Sequence, residues 1–233
     1  MNLVITGATK GIGKAIVEIF AKNGWNIIFC SRNQEELTSL EEELKRQYKE
    51  QSFYSLKTDV SDKAELKEFG KFSLKKFDKI DVLINNAGVF IPGELLSEPE
   101  GRLEQMIETN LYSAYQLTRI IAPSMQYHRK GHIINICSIA SKIAYPNGGS
   151  YSISKFAMLG MSKVLREELK ESNVRVTSVL PGATWSYSWK GVDLPKDRLM
   201  DAADIAKSVF AATTLGDSAV VEEIIIRPQL GDL

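Results

Sequence analysis

Seven short β-rich runs alternate with six segments of helical period along this chain, and that alternation leaves few folds open. The runs are 2–6 (NLVIT), 25–31 (WNIIFCS), 52–58, 79–87 (KIDVLINNA), 132–138 (HIINICS), 174–180 (VRVTSVL) and 222–228 (EEIIIRP). In the first intervening segment Ile12, Ala15, Ile16, Ile19 and Phe20 fall on one helical face, and in the second Leu37, Leu40 and Leu44 do the same. Helices are expected from Gly11 to the Asn23-Gly24 stop, and over 34–49, 62–77, 100–126, 151–170 and 204–213. Strands that alternate with helices pair in parallel, because each crossover covers a face of the sheet. The expected architecture is α/β, a doubly wound parallel sheet of about seven strands with helices on both faces.

Nothing along the chain divides it. There is no Ser/Gly-rich linker, low-complexity tract or fixed-period repeat, so residues 1–233 read as a single domain. Hydrophobic residues make up 44%, enough for a sizeable core. Lys+Arg and Asp+Glu both total 29, and this zero net charge argues against a nucleic-acid binder. Cys30 and Cys137 lie in apolar runs and read as buried core residues, not a disulfide framework. The N-terminus lacks a basic and then apolar leader pattern, and no apolar run approaches the ~20 residues that span a bilayer. A cytoplasmic protein is expected. His128 and His132 have no metal-ligand partners at useful spacing, so no metal site is expected. The charge-rich run 35–50 reads as a solvated helix face.

The first strand runs into TGATKGIG, residues 6–13, and a helix opens inside that stretch. Gly7, Gly11 and Gly13 let the backbone turn tightly and let phosphate oxygens approach the amides. The helix start adds unpaired N–H groups and a partial positive charge. Thr9, Lys10 and Ile12 belong to the same loop.

Later, YSISK places Tyr151 four residues before Lys155, on one face of a helix. A free tyrosine has a pKa near 10, so exchange near neutrality requires a fall of ~3 units, or ~4 kcal/mol. A neighbouring ammonium favours the phenolate. Ser138 precedes Tyr151 at the end of a strand, where ligands bind in open α/β sheets. Asn110 lies in the middle of the long helix, a poor place for Asn unless it has a role.

The T-G-x3-G-x-G loop, Asn85-Asn86-Ala87-Gly88 and the ordered set Asn110, Ser138, Tyr151 and Lys155 resemble the short-chain dehydrogenase/reductase family, from Asn2 to about Pro228. The resemblance implies a Rossmann-type fold and a nicotinamide-dependent oxidoreductase. It looks most like 3-oxoacyl-carrier-protein reductases and related carbonyl reductases. It implies Tyr151 as general acid, Ser138 orienting the carbonyl, Lys155 lowering the tyrosine pKa and holding the ribose, and Asn110 holding a water in a proton relay. Cofactor contacts are implied at Gly7, Thr9, Lys10, Gly11, Ile12, Gly13, Ser31, Arg32, Asp59, Val60, Asn86, Ala87, Gly88, Tyr151, Lys155, Pro181, Gly182 and Thr184.

NAD-preferring sites of this fold carry an acid at the end of the second strand. Here Ser31 stands there, followed by Arg32, whose planar cation suits a phosphate, and Lys10 is a second cation. NADP(H) is therefore expected over NAD(H). The expected substrate is a 3-oxoacyl thioester or small ketone, with a pterin- or diketone-type reductase as the alternative. A non-catalytic nucleotide sensor would show a broken tetrad, which this chain does not. A short substrate lid is expected at about 183–200, where Trp185, Tyr187 and Trp189 either line a pocket or pack the lid down. Gly148-Gly149 is expected to give the chain room to turn into the catalytic helix. The resemblance also implies a homodimer or homotetramer through the two long helices, with Met158, Leu159, Met161 and Leu165 as apolar residues compatible with pairing.

Overall fold

The computed structural model describes residues 1–185, 194–195 and 198–232. Seven parallel strands form one sheet in the order β3-β2-β1-β4-β5-β6-β7. They are β1 (Asn2–Thr6), β2 (Asn26–Ser31), β3 (Phe53–Lys57), β4 (Val82–Asn85), β5 (Gly131–Ile136), β6 (Val174–Pro181) and β7 (Glu223–Ile226). The helices are α1 (Gly11–Lys22), α2 (Gln34–Gln47), α3 (Lys63–Lys76), α4 (Arg102–Ile107), α5 (Ser113–Tyr127), α6 (Gly149–Leu169) and α7 (Ala202–Thr213). A π-helical turn, Glu108–Tyr112, joins α4 to α5, so the long helix expected over 100–126 is present with a widened turn in its middle.

Side-chain alternation along the strands builds a core on each face. Leu3, Ile5, Ile27 and Phe29 point to the core under α1, α2 and α7, while Val4, Ile28 and Cys30 point to the one under α3 and α5. Phe20 seals the first core edge-on to Trp25 and Phe210, at 4.9 and 5.2 Å between ring centroids. Both cysteines are buried and unpaired.

Several strands are shorter than their apolar runs. β4 holds four residues of the nine in KIDVLINNA, because Asn86 and Ala87 turn away at its end to meet the glycine loop. β5 stops at Ile136, and Ser138 instead caps a short 3-10 turn by accepting from Ala140 N at 3.1 Å. α6 starts two residues before Tyr151, at Gly149.

The sheet order reverses between β1 and β4, since β2 and β3 lie on one side and β5 to β7 on the other. Ligand crevices in open α/β sheets form at the carboxyl ends of strands flanking such a reversal. The glycine loop leaves β1 and Asn86-Ala87-Gly88 leaves β4, one on each side of it.

Candidate active site

The glycine loop is shaped by the β4 end. Asn86 Nδ2 donates to the carbonyl oxygens of Thr6 and Gly7, both at 2.9 Å, and Asn86 N and Ala87 N donate to Thr6 Oγ1. Gly7 has φ +69°, and a Cβ on Gly13 would lie 2.1 Å from Gly7 O. The loop is therefore pressed against its own helix and against Asn86. Asn86, expected as a cofactor contact, spends both amide hydrogens on holding this loop in shape. Lys10, at the N-cap of α1, makes no side-chain cap, and the first turn holds no acidic residue. Neither the N-cap side chain nor a first-turn acid thus takes up the N-terminal N–H groups of α1. This cradle fits the pyrophosphate of a nicotinamide dinucleotide.

At the end of β2, Thr9 Oγ1 lies 3.0 Å from Ser31 Oγ. Against the opposing effect of burial, hydrogen bonds from Ser61, with a smaller contribution from the exposed Arg32, hold the Asp59 carboxyl below its ordinary range. Val60 is buried in the second core. Lys10, expected from the sequence as a second cation at the cofactor site, forms an ion pair with Glu36 at 2.7 Å. Pro181 ends β6, Gly182 N donates to Ile226 O at 2.8 Å, and Thr184 Oγ1 donates to Gly182 O at 3.0 Å.

Asn110 and Lys155 meet beside Gly88, Lys155 reaches the Tyr151 ring, and the Ser138 hydroxyl acts on the Tyr151 phenol. A Cβ on Gly88 would lie 3.2 Å from Asn110 Oδ1 and 3.5 Å from Lys155 Nζ. Lys155 is buried, its Nζ donates to Ile136 O at 2.9 Å and sits 5.8 Å from the Tyr151 ring centroid. Burial pulls the Lys155 pKa down. The Asn110 side chain, fully buried in the π-turn, accepts from Val89 N at 2.7 Å and donates to Val89 O and Ser154 Oγ, each at 3.0 Å. Ser154 in turn donates to Tyr151 O.

In the chain alone, burial of its hydroxyl end pushes the Tyr151 phenol up, and the Ser138 hydroxyl only partly opposes this. The Lys155 ammonium is directed at the Ile136 carbonyl and is itself disfavoured by burial.

Around this centre stand residues with no sequence signature. Phe90 packs edge-on against Tyr151 at 4.8 Å between centroids. Glu98 Oε1 accepts from Ser150 N at 3.2 Å and from the Ser150 hydroxyl, which ties the loop after β4 to the start of α6. Gly148 and Gly149 are not needed for a left-handed turn. Cβ atoms there would meet Ser152 Oγ and Gly93 O, each at 2.6 Å, so close approach requires them. The C-terminal turn also returns here. Arg198 donates to Gly231 O at 2.8 Å and Asp232 O at 3.0 Å, and the Asp232 charge, after burial, raises the Tyr145 pKa. Trp185 N donates to Met200 O at 2.9 Å, closing the base of the expected lid. Tyr187 and Trp189 lie outside the described residues.

The apolar residues read as compatible with pairing pack inward. Met158 and Leu159 are buried, and Met161 and Leu165 pack against the cores, because they share the helix side that carries Lys155. The exposed apolar residues of α6 are Ile153, Phe156 and Val164, with Tyr112 and Tyr115 exposed on the neighbouring helical segment.

This arrangement of glycine loop, sheet reversal and buried Tyr-Lys-Ser-Asn cluster has relatives. The profile of the short chain dehydrogenase family matches residues 1–194. The chain belongs to the short-chain dehydrogenase/reductase family. It is 33% identical to the sepiapterin reductase of Chlorobaculum tepidum over 99% of this chain and 97% of that protein. An alcohol dehydrogenase from the archaeon Thermococcus sibiricus, solved with 5-hydroxy-NADP, superposes with a TM-score of 0.92 at 27% identity, covering 100% of this chain and 98% of that one. A metagenomic short-chain oxidoreductase solved with NADP gives 0.85 at 31% identity, covering 98% and 97%. The protein is accordingly an NAD(P)-dependent oxidoreductase with a Rossmann-type fold.

Proposed function

We propose that this enzyme reduces a ketone to a secondary alcohol with NADPH, with Tyr151 as the proton donor. The observation that carries the reading is that Asn110 and Lys155 meet beside Gly88, with Lys155 Nζ 5.8 Å from the centroid of the Tyr151 ring and the Ser138 hydroxyl acting on the Tyr151 phenol. When bound, the nicotinamide cofactor supplies the hydride. The chain does the rest. Ser138 presents its hydroxyl to the carbonyl oxygen and polarises it. Tyr151, kept protonated by burial, donates its phenolic proton to the same oxygen. Lys155 supplies a buried positive charge at the site and a donor for the cofactor's ribose. Asn110 holds the loop after β4 against α6, so that Phe90 and Tyr151 keep their register.

The preference for NADPH is supported by Ser31 where an acid would disfavour a 2′-phosphate, and by Arg32 and Lys10 nearby. For the substrate, the relative named for reducing sepiapterin favours a pterin- or diketone-type carbonyl over the 3-oxoacyl thioester expected from the motifs. The exposed apolar residues Ile153, Phe156 and Val164 support a homo-oligomer.

The test is NADPH oxidation against sepiapterin, a small vicinal diketone, a 3-oxoacyl thioester and a simple aldehyde, with NADH in parallel. Turnover of sepiapterin or the diketone ahead of the thioester supports the reading. Thioester turnover alone transfers the enzyme to fatty-acid-type chemistry. In Tyr151→Phe, loss of about 10²–10⁴-fold in rate with NADPH binding retained supports the proton-donor role; full activity overturns it.

A further inference from the structure

Glu36 adds a carboxylate to the group of Ser31, Arg32 and Lys10 expected at the cofactor site. It belongs to the first turn of α2, and its carboxylate pairs with Lys10 Nζ at 2.7 Å. Lys10 above all, with a smaller contribution from the Thr9 hydroxyl, holds the Glu36 carboxyl below its usual range against the effect of burial. Thr9 is at the same time 3.0 Å from Ser31 Oγ, so Lys10, Thr9, Ser31 and Glu36 form one cluster at the end of β2. Asn33 caps α2 by accepting from Glu36 N at 3.0 Å, which fixes the Glu36 backbone beside Ser31. The adenosine ribose of a dinucleotide is read at this strand end.

A 2′-phosphate that uses Lys10 therefore meets a carboxylate already on that lysine. The side chains of Lys10 and Glu36 are 55% and 30% exposed, so the pair is solvated and can be displaced. Resting on the NADPH reading, we propose that Glu36 sets the cofactor specificity of this enzyme, as a displaceable counter-ion that occupies Lys10 and weakens binding of the 2′-phosphate. The ribose 2′-hydroxyl of NADH carries no charge to repel, so Glu36 acts on NADPH alone. The enzyme's preference for NADPH is held below what its cations would allow.

Glu36→Gln keeps the size of the side chain and removes the charge. The dissociation constants of NADPH and NADH are measured by titration for the wild type, Glu36→Gln, Lys10→Met and the double variant, at low and high salt. The expected result is about three- to tenfold tighter NADPH binding in Glu36→Gln, NADH unchanged, with the gain shrinking in salt as exposed charges are screened. The gain should be absent in the Lys10→Met background. NADPH binding unchanged or weakened by Glu36→Gln, relative to NADH, overturns the proposal, and so does a gain that persists without Lys10. The cofactor reading fails separately: it falls if the wild type binds NADH more tightly and Lys10→Met leaves NADPH binding unaltered. If the wild type favours NADH but Glu36→Gln still tightens NADPH alone, through Lys10, Glu36 remains the counter-ion and only the preference is reassigned.

Discussion

Asn110 and Val89 exchange two hydrogen bonds, Val89 N to Asn110 Oδ1 at 2.7 Å and Asn110 Nδ2 to Val89 O at 3.0 Å. The pair behaves like a short piece of strand ladder made by a side chain. It fastens the segment after Gly88 to the π-turn, and π-turns inside α-helices are frequent at functional sites. The amide is committed to this task and to Ser154, so its first role is to position the loop. Asn110→Ala leaves the Val89 amide and carbonyl without partners, at a cost of about 2–4 kcal/mol in stability. The same loop carries Phe90 onto Tyr151, and misplacement on the ångström scale lowers turnover by about 10²-fold. Urea unfolding together with steady-state kinetics checks both. A stable variant with full turnover would falsify the positioning role.

Gly13 faces the carbonyl of Gly7, where a Cβ would arrive at 2.1 Å, and Asn86 Nδ2, at 2.5 Å. Neither neighbour can yield without breaking the Asn86 bonds that shape the loop. Gly13→Ala should destabilise the protein by about 1–3 kcal/mol, as overpacking does. Binding of both NADPH and NADH should weaken together, because the distortion acts on the shared pyrophosphate cradle. Thermal unfolding with and without cofactor measures this. A selective effect on one cofactor would place the distortion elsewhere.

The sheet could be read from the sequence because strands buried on both faces leave continuous apolar runs such as NLVIT and NIIFC, each closed by a polar or glycine residue. The ends were less legible. At HIINICS the strand stops before Ser138, since its side chain caps a turn, and apolar content does not encode that choice. The site shows the same division. Gly7, Tyr151 and Lys155 announce themselves through spacing within one element. Partners such as Val89 and Ser154 for Asn110, or Glu98 for Ser150, are joined across distant stretches of chain by ordinary residues with no motif. The Lys10–Glu36 pair was hidden differently, because a glutamate in a charge-rich helix reads as solvated until the glycine loop is folded against it.

The direction of the Tyr151 shift gives a pH dependence. A general acid must be protonated, and burial holds the phenol in that form above its ordinary pKa near 10. Carbonyl reduction, followed as kcat/KM, should therefore show no loss from tyrosine ionisation between about pH 6 and 9. Alcohol oxidation needs the phenolate and should rise with pH over the same range. Lys155→Met removes the one buried ammonium beside the ring among the described residues and should depress oxidation more than reduction. A reduction rate that falls with a midpoint near neutrality would show that bound cofactor lowers the phenol pKa below its ordinary value.

His132 sets a limit on stability at low pH. It is buried in β5, and its Nε2 lies 2.7 Å from Thr177 Oγ1, which itself donates to Val221 O, so Nε2 carries the hydrogen. Burial, with a smaller contribution from the Arg175 charge, holds its pKa down at about 3 against 6.5 in the unfolded chain. The folded protein thus binds fewer protons than the unfolded one between these values. The stabilisation is fully present above pH 6.5 and is lost progressively as the pH falls toward 3. Relative to high pH, where the imidazole is neutral in both states, the loss from this residue at pH 5 is about 2 kcal/mol, at up to 1.36 kcal/mol per unit for one proton. Urea midpoints measured down to about pH 5 should fall accordingly in the wild type, with the slope reduced in His132→Gln. An equal slope in both proteins would mean that other groups, not His132, take up the protons.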